Sequence, residues 1–103
     1  MKFIPTTLLV AAALGSAGLA QAADELALAK AKNCMSCHGV EKKLVGPGYK
    51  EVAVKYKGDK SAAAALATKI KAGGKGAWGA IPMPPNNVSE AEAKRLAEWV
   101  LSL

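Results

Sequence analysis

Aromatic side chains are scarce in this sequence. Two tryptophans, two tyrosines and one phenylalanine make up 5% of its 103 residues, so side chains alone can build only a thin core. Histidine occurs once, at His38, and cysteine twice, at Cys34 and Cys37. These fall short of the four ligands that a structural zinc site takes. Acidic residues are in deficit, 8 against 14 lysines and arginines, for a formal net charge of +6. A basic chain can signal nucleic-acid binding, but no binding motif accompanies the charge. Positive charge equally suits docking on acidic patches of partner proteins. There is no internal repeat and no low-complexity linker, and 103 residues leave room for one domain.

No apolar run is long enough to span a bilayer comfortably. The nearest is Leu8 to Leu14, which gives way to Gly15, Ser16 and Gly18. Lys2 precedes it and Ala20-Gln21-Ala22 follows, a charged start and a small-x-small end. That order predicts a secretory signal peptide over residues 1–22, cleaved after Ala22 or one residue later, and no stable membrane insertion. The mature domain, 23–103, then has 81 residues and, without Lys2, a charge of +5. A core of that size is marginal, and small domains commonly add a disulfide, a metal or another staple.

The staple is legible in Cys34-Met35-Ser36-Cys37-His38. A disulfide across so short a loop would constrain little of the unfolded chain. A redox dithiol of the thioredoxin kind needs a preceding strand, and none is indicated. Two thiols at i and i+3 followed at once by histidine are the attachment pattern of c-type haem. The turn brings both sulfurs to one porphyrin edge for thioether bonds, and the next residue lies under the iron. Two haem propionates would bring the charge near +3.

The remaining chain reads as helices joined by long loops. Asp24 is expected to cap a helix over 25–33, with Ala29 small enough to admit a neighbouring helix. Gly46-Pro47-Gly48 is a rigid turn. Pro47 could offer its carbonyl to the His38 ring, although spacing alone favours an ordinary turn. A helix is expected from Tyr49 to about Tyr56. Another runs from about Lys60 to Ala72, capped by Asp59 and stopped at Gly73-Gly74. Gly73-Gly74-Lys75-Gly76 lacks the spacing of a phosphate loop. Trp78 carries an indole N–H that a haem propionate or water would satisfy. Ser89-Glu90-Ala91-Glu92 is a capping box for a last helix to about Ser102. Leu96, Trp99, Val100 and Leu103 form its core stripe, with Lys94 and Arg95 elsewhere on the surface.

Ile81-Pro82-Met83-Pro84-Pro85-Asn86 stands apart. The prolines forbid a helix and stiffen the backbone, so Met83 is held in place at little entropic cost. Met1 leaves with the signal peptide, and Met35 sits between the tethering cysteines. The sixth iron position therefore falls to Met83, a lysine, or no protein ligand, and Met83 is favoured because His/Met is a standard haem ligation.

Taken together, Cys34-Met35-Ser36-Cys37-His38, Val45-Gly46-Pro47, Trp78-Gly79-Ala80-Ile81-Pro82-Met83-Pro84-Pro85-Asn86 and Leu96-Ala97-Glu98-Trp99-Val100-Leu101 resemble the small bacterial class I cytochromes c, the cytochrome c-551/c-552 group. The resemblance covers essentially the whole mature chain. It implies an all-α cytochrome c fold, four or five short helices around one covalent haem c, with the first and last helices crossing. It implies Cys34 and Cys37 as haem anchors and His38 and Met83 as axial ligands. Pro47 is implied as acceptor for the His38 ring and Trp78 as a propionate donor, with Lys69 nearby. Asn86 is implied as a hydrogen-bond partner near the Met83 sulfur. The group commonly carries a large aromatic near the position of Ala29, and Met35 and Tyr56 are expected to fill that space here.

The function so implied is a periplasmic, monomeric carrier of single electrons rather than an enzyme. Its donor would be a membrane quinol-oxidising cytochrome complex. Its acceptors would be a terminal oxidase, a nitrite reductase of the cytochrome cd type or a peroxidase. Lysines such as Lys32, Lys42 and Lys50 are expected around the docking face. The rival is a haem enzyme or gas sensor with a labile Met83.

Overall fold

A computed structural model describes residues 16–103, with side chains described from Ala22 onward. Most of the expected signal peptide thus lies outside the described residues. The order of elements is α1 (Ser16–Ala31), a short 3-10 turn (Cys34–Ser36), α2 (Tyr49–Lys55), α3 (Ala62–Ala72) and α4 (Glu90–Leu101). Among the described residues there is no strand, only two isolated bridges, His38 with Lys43 and Gly74 with Met83. No described helix is long and apolar enough to cross a membrane.

Helix α4 is the hub, packing against α1, α2 and α3. The reason lies in its sequence. Ala93, Leu96, Ala97, Trp99 and Val100 fall on one face and are all buried. Against them lie Ala29 of α1, Tyr49 and Val52 of α2, and Val88. Ala29 is fully buried, so its missing bulk lets the α1 backbone come close to α4. Met35 and Tyr56 lie half-buried against the same core. Leu103 departs from expectation: it lies beyond the end of α4 and is exposed.

The helix ends show which local signals acted. Ser89 Oγ accepts from Glu92 N–H at 3.1 Å, and Glu92 Oε1 accepts from Ser89 N–H at 2.9 Å, the reciprocal pair of a capping box. That bond holds the Glu92 carboxyl below its ordinary range. A depressed carboxylate contributes stability above its unfolded pKa and loses it as pH falls through the folded one. Ser89→Ala should therefore destabilise the fold by about 1 kcal/mol at neutral pH. In urea titrations, the gap between wild type and Glu92→Ala should close as pH drops below the usual glutamate range.

Two caps differ from expectation. Asp24 caps nothing in this chain, because α1 already runs through the alanine-rich stretch before it, from Ser16. The helix ends at Ala31 and Asn33 adopts φ 62°, a left-handed conformation that asparagine tolerates. Asp59 does not cap α3 directly. Its Oδ1 accepts from the N–H (2.9 Å) and Oγ (2.7 Å) of Ser61, which is itself the residue before the helix. These bonds hold the Asp59 carboxyl below its ordinary range.

Arg95 lies on the surface, as expected, and also bridges two helices. Its Nε and Nη2 donate to Glu25 Oε1 at 3.0 and 2.8 Å, joining α4 to α1. Glu25 is only 9% exposed, and its Oε2 is buried with no partner among the described residues. Removing the guanidinium would strand a buried carboxylate. Arg95→Ala should cost about 1–3 kcal/mol in urea unfolding, with Arg95→Lys recovering only part, since a single ammonium cannot reproduce the fork.

Candidate functional site

The short 3-10 turn Cys34–Ser36 presents both thiols to one cavity. Cys37 N–H and His38 N–H both donate to Cys34 O, at 3.2 and 3.1 Å. Cys34 is buried, Cys37 is half-buried, and both line a cavity of about 490 Å³ together with His38. Burial pushes the Cys34 thiol up, partly offset by a hydrogen bond with Tyr49. Burial likewise raises the Tyr49 phenol, and the nearby Cys34 adds to the effect.

The His38 ring is held on three sides. Its Nδ1 lies 2.8 Å from Pro47 O. A carbonyl can only accept, so Nδ1 carries the proton and Nε2 keeps its lone pair for a metal. The Tyr49 ring stacks on His38, centroids 5.0 Å apart at 22°, and is braced edge-on by Trp99 at 5.5 Å. Gly46 closes the third side, since a Cβ there would come 2.6 Å from His38 Cε1. The loop itself is fastened by Gly46 N–H donating to Cys37 O at 2.7 Å. Sequence reasoning named Pro47 but missed Tyr49 and Gly46. The signal available was Tyr49's place directly after the Gly-Pro-Gly turn, where α2 starts back over the ring.

Met83 lines the same cavity. Met83 N–H donates to Gly74 O at 2.8 Å and Gly74 N–H to Met83 O at 3.0 Å, which closes the 75–82 loop at its base. Gly73, with φ 76°, ends α3 and lets the Met83 backbone pass close by, where a Cβ would meet backbone atoms. Asn86 lies off the cavity wall, and its Nδ2 donates to Ile70 O at 2.8 Å and Pro84 O at 3.3 Å. Asn86 thereby ties the Met83 segment to α3.

Trp78 and Lys69 also lie on the cavity wall. Trp78 is 38% exposed. The lysines on the wall are Lys43, Lys69 and Lys75, not Lys32, Lys42 or Lys50, and Lys50 is paired with Glu41 at 3.0 Å. The rest of the wall is largely apolar, including Val52, Leu66, Ile70, Leu96 and Val100. One imidazole nitrogen, one thioether sulfur and two thiols around an apolar space suit a flat, iron-bearing macrocycle held by thioether bonds.

The sequence pattern of the family described as cytochrome c matches residues 23–103. The chain belongs to the cytochrome c family. Among its relatives is cytochrome c-552 of Hydrogenobacter thermophilus, 54% identical over 95 residues, 92% of this chain and 95% of that one. Cytochrome c-551 of Azotobacter vinelandii is 64% identical over 75 residues, 73% of this chain and 92% of the other. The crystal structure of wild-type Nitrosomonas europaea cytochrome c552 superposes with a TM-score of 0.74 at 57% identity, covering 76% of this chain and 98% of that one. This cytochrome c thus carries one covalently bound haem c and serves electron transport, as its family and relatives do.

Proposed function

We propose that this cytochrome c is a periplasmic carrier of single electrons, anchored to its haem by Cys34 and Cys37 and ligating the iron through His38 and Met83. One observation carries the reading: the Pro47 carbonyl fixes Nδ1 of His38 and leaves Nε2 free, in a cavity that Met83 also lines. When bound, the haem iron supplies the one-electron Fe(III)/Fe(II) couple. The protein's part would be to hold the iron through His38 and Met83, which would leave no position for a substrate on the metal. The Met83 thioether favours the reduced state, as Met/His ligation does in cytochromes c generally. The Pro47 carbonyl fixes the tautomer and orientation of the imidazole. Trp78 and Lys69, on the wall of the same cavity, would hold the propionates.

Residues 1–22 act as the export leader, and the family match beginning at Ala23 supports cleavage after Ala22. A monomer docks briefly through the lysine-bearing rim (Lys43, Lys69, Lys75) on acidic patches of its partners. A membrane quinol-oxidising cytochrome complex supplies the electron. A terminal oxidase, a cytochrome cd nitrite reductase or a peroxidase accepts it.

The test uses the haem-loaded protein. Ferric protein should show the weak far-red band of methionine ligation, and ferrous protein should bind carbon monoxide slowly. Electron transfer with candidate reductases and oxidases should slow as salt rises. Rapid carbon monoxide binding together with peroxide turnover would replace the carrier with a haem enzyme.

A further inference from the structure

Residues 75–82, between the bridge at Gly74 and Met83, are exposed along their whole length. Inside the loop, Gly76 N–H donates to Gly79 O at 3.0 Å. Among the described residues, a single hydrogen bond reaches this loop from elsewhere in the fold: Lys55 Nζ donates to Ala77 O at 3.1 Å. The same ammonium stands 4.6 Å from the centroid of the Trp78 ring and 5.7 Å from that of Tyr56. Both distances are within the reach of a cation–π contact.

Lys55 is the last residue of α2, and Tyr49 at the other end of that helix stacks on His38. One short helix therefore touches the His38 ring at its start and the Trp78 loop at its end. We propose that Lys55 is a positioning residue, a strap from α2 that holds the Trp78 loop shut and so keeps Met83 on the iron. The inference rests on the His38/Met83 reading above.

The chemistry favours lysine here. The ammonium has three donors, one taken by the Ala77 carbonyl and the others free for water, while its positive face lies on the indole. A cation over the ring draws electron density from it and makes the indole N–H a better donor to a carboxylate. The positive charge itself, close to the cavity, also favours the reduced state of the site. Because Lys55 is exposed, its loss should leave the core packing alone and act on loop opening.

The experiment uses the ferric holoprotein and measures how fast added imidazole displaces the far-red methionine band. Wild type, Lys55→Met, Lys55→Arg and Lys57→Met are compared, the last removing the same charge two residues away. Loss of one hydrogen bond and one cation–π contact should speed displacement about 3- to 10-fold in Lys55→Met. Lys55→Arg should return to within about 2-fold of wild type, since guanidinium keeps both contacts, and Lys57→Met should behave as wild type. Amide exchange of residues 76–81 should quicken in Lys55→Met while the global unfolding midpoint barely moves, and the reduction potential should fall.

A Lys55→Met rate equal to wild type overturns the strap. So does an equal acceleration by Lys57→Met, which would make the effect one of net charge. Absence of the far-red band in wild type would instead overturn the Met83 reading, so the two failures are distinguishable.

Discussion

Met83→Ala should convert a closed haem site into an open one. Ferric protein loses the far-red band, ferrous protein binds carbon monoxide quickly, and the reduction potential falls. The physical basis is competition for one coordination position. On the proposed ligation by Met83, an external ligand would bind only in the fraction of molecules whose methionine is off the iron, and its apparent affinity and rate would be reduced by that fraction. If that fraction is about 1% or less, removing the sulfur raises the carbon monoxide association rate by about 100-fold or more. The potential falls because thioether sulfur favours the reduced metal. The surrounding fold should persist, since the Met83 and Gly74 hydrogen bonds are made by the backbone and survive truncation of the side chain. Stopped-flow carbon monoxide binding and spectroelectrochemistry check both parts. Slow binding by Met83→Ala would mean that another group closes the position.

Gly46→Ala should disrupt the His38 side of the site with a single methyl group. The new Cβ would sit 2.6 Å from His38 Cε1 and 2.9 Å from Nδ1, closer than non-bonded atoms tolerate. The ring has no room to retreat, because Tyr49 is stacked on its surface and Trp99 braces Tyr49. Relief requires the loop to move, which breaks the 2.8 Å bond from Nδ1 to the buried Pro47 carbonyl. Overpacking costs about 1–3 kcal/mol and an unpaired buried polar group about 1–3 kcal/mol more. Urea unfolding of the holoprotein should therefore show a loss of about 2–6 kcal/mol. The reduction potential should shift with it, because the imidazole loses the acceptor that fixes its tautomer and orientation. Gly48→Ala tests specificity, since a Cβ there would press on Glu41 and Lys42 backbone atoms and not on the ring.

The difference between these two residues shows how the site was legible. Met83 was readable because its neighbours are prolines, whose effect on the backbone is intrinsic to the residue type. The Ser89–Glu92 box was readable because its partners are three residues apart on one helix turn. Gly46 and Tyr49 were not singled out. Their role depends on where the His38 ring lies, and a glycine in a turn signals a turn before it signals a neighbour. The bond from Asn86 to the Ile70 carbonyl was not legible, because a backbone carbonyl leaves no mark in the sequence. Arg95 is on the surface as its position on α4 indicates, but nothing near it announces its partner Glu25, 70 residues away. The early end expected for α1 on its N-terminal side failed for a local reason: alanine-rich residues ahead of Asp24 extend a helix as readily as those behind it.

By itself the sequence determined what is covalent or local. It set the two thiols and the imidazole at their required spacing, the proline-held methionine, the helix-forming stripes and the single cap that closes on itself. Each of these acts within one turn of chain, where residue type dictates geometry. Only the tertiary structure decided what depends on distant partners. It brought Tyr49 and Gly46 against His38, tied Asn86 to α3, paired Glu25 with Arg95 and laid Lys55 across the Trp78 loop. Long side chains and backbone carbonyls can meet many partners, so only the packing of the whole chain selects which ones do.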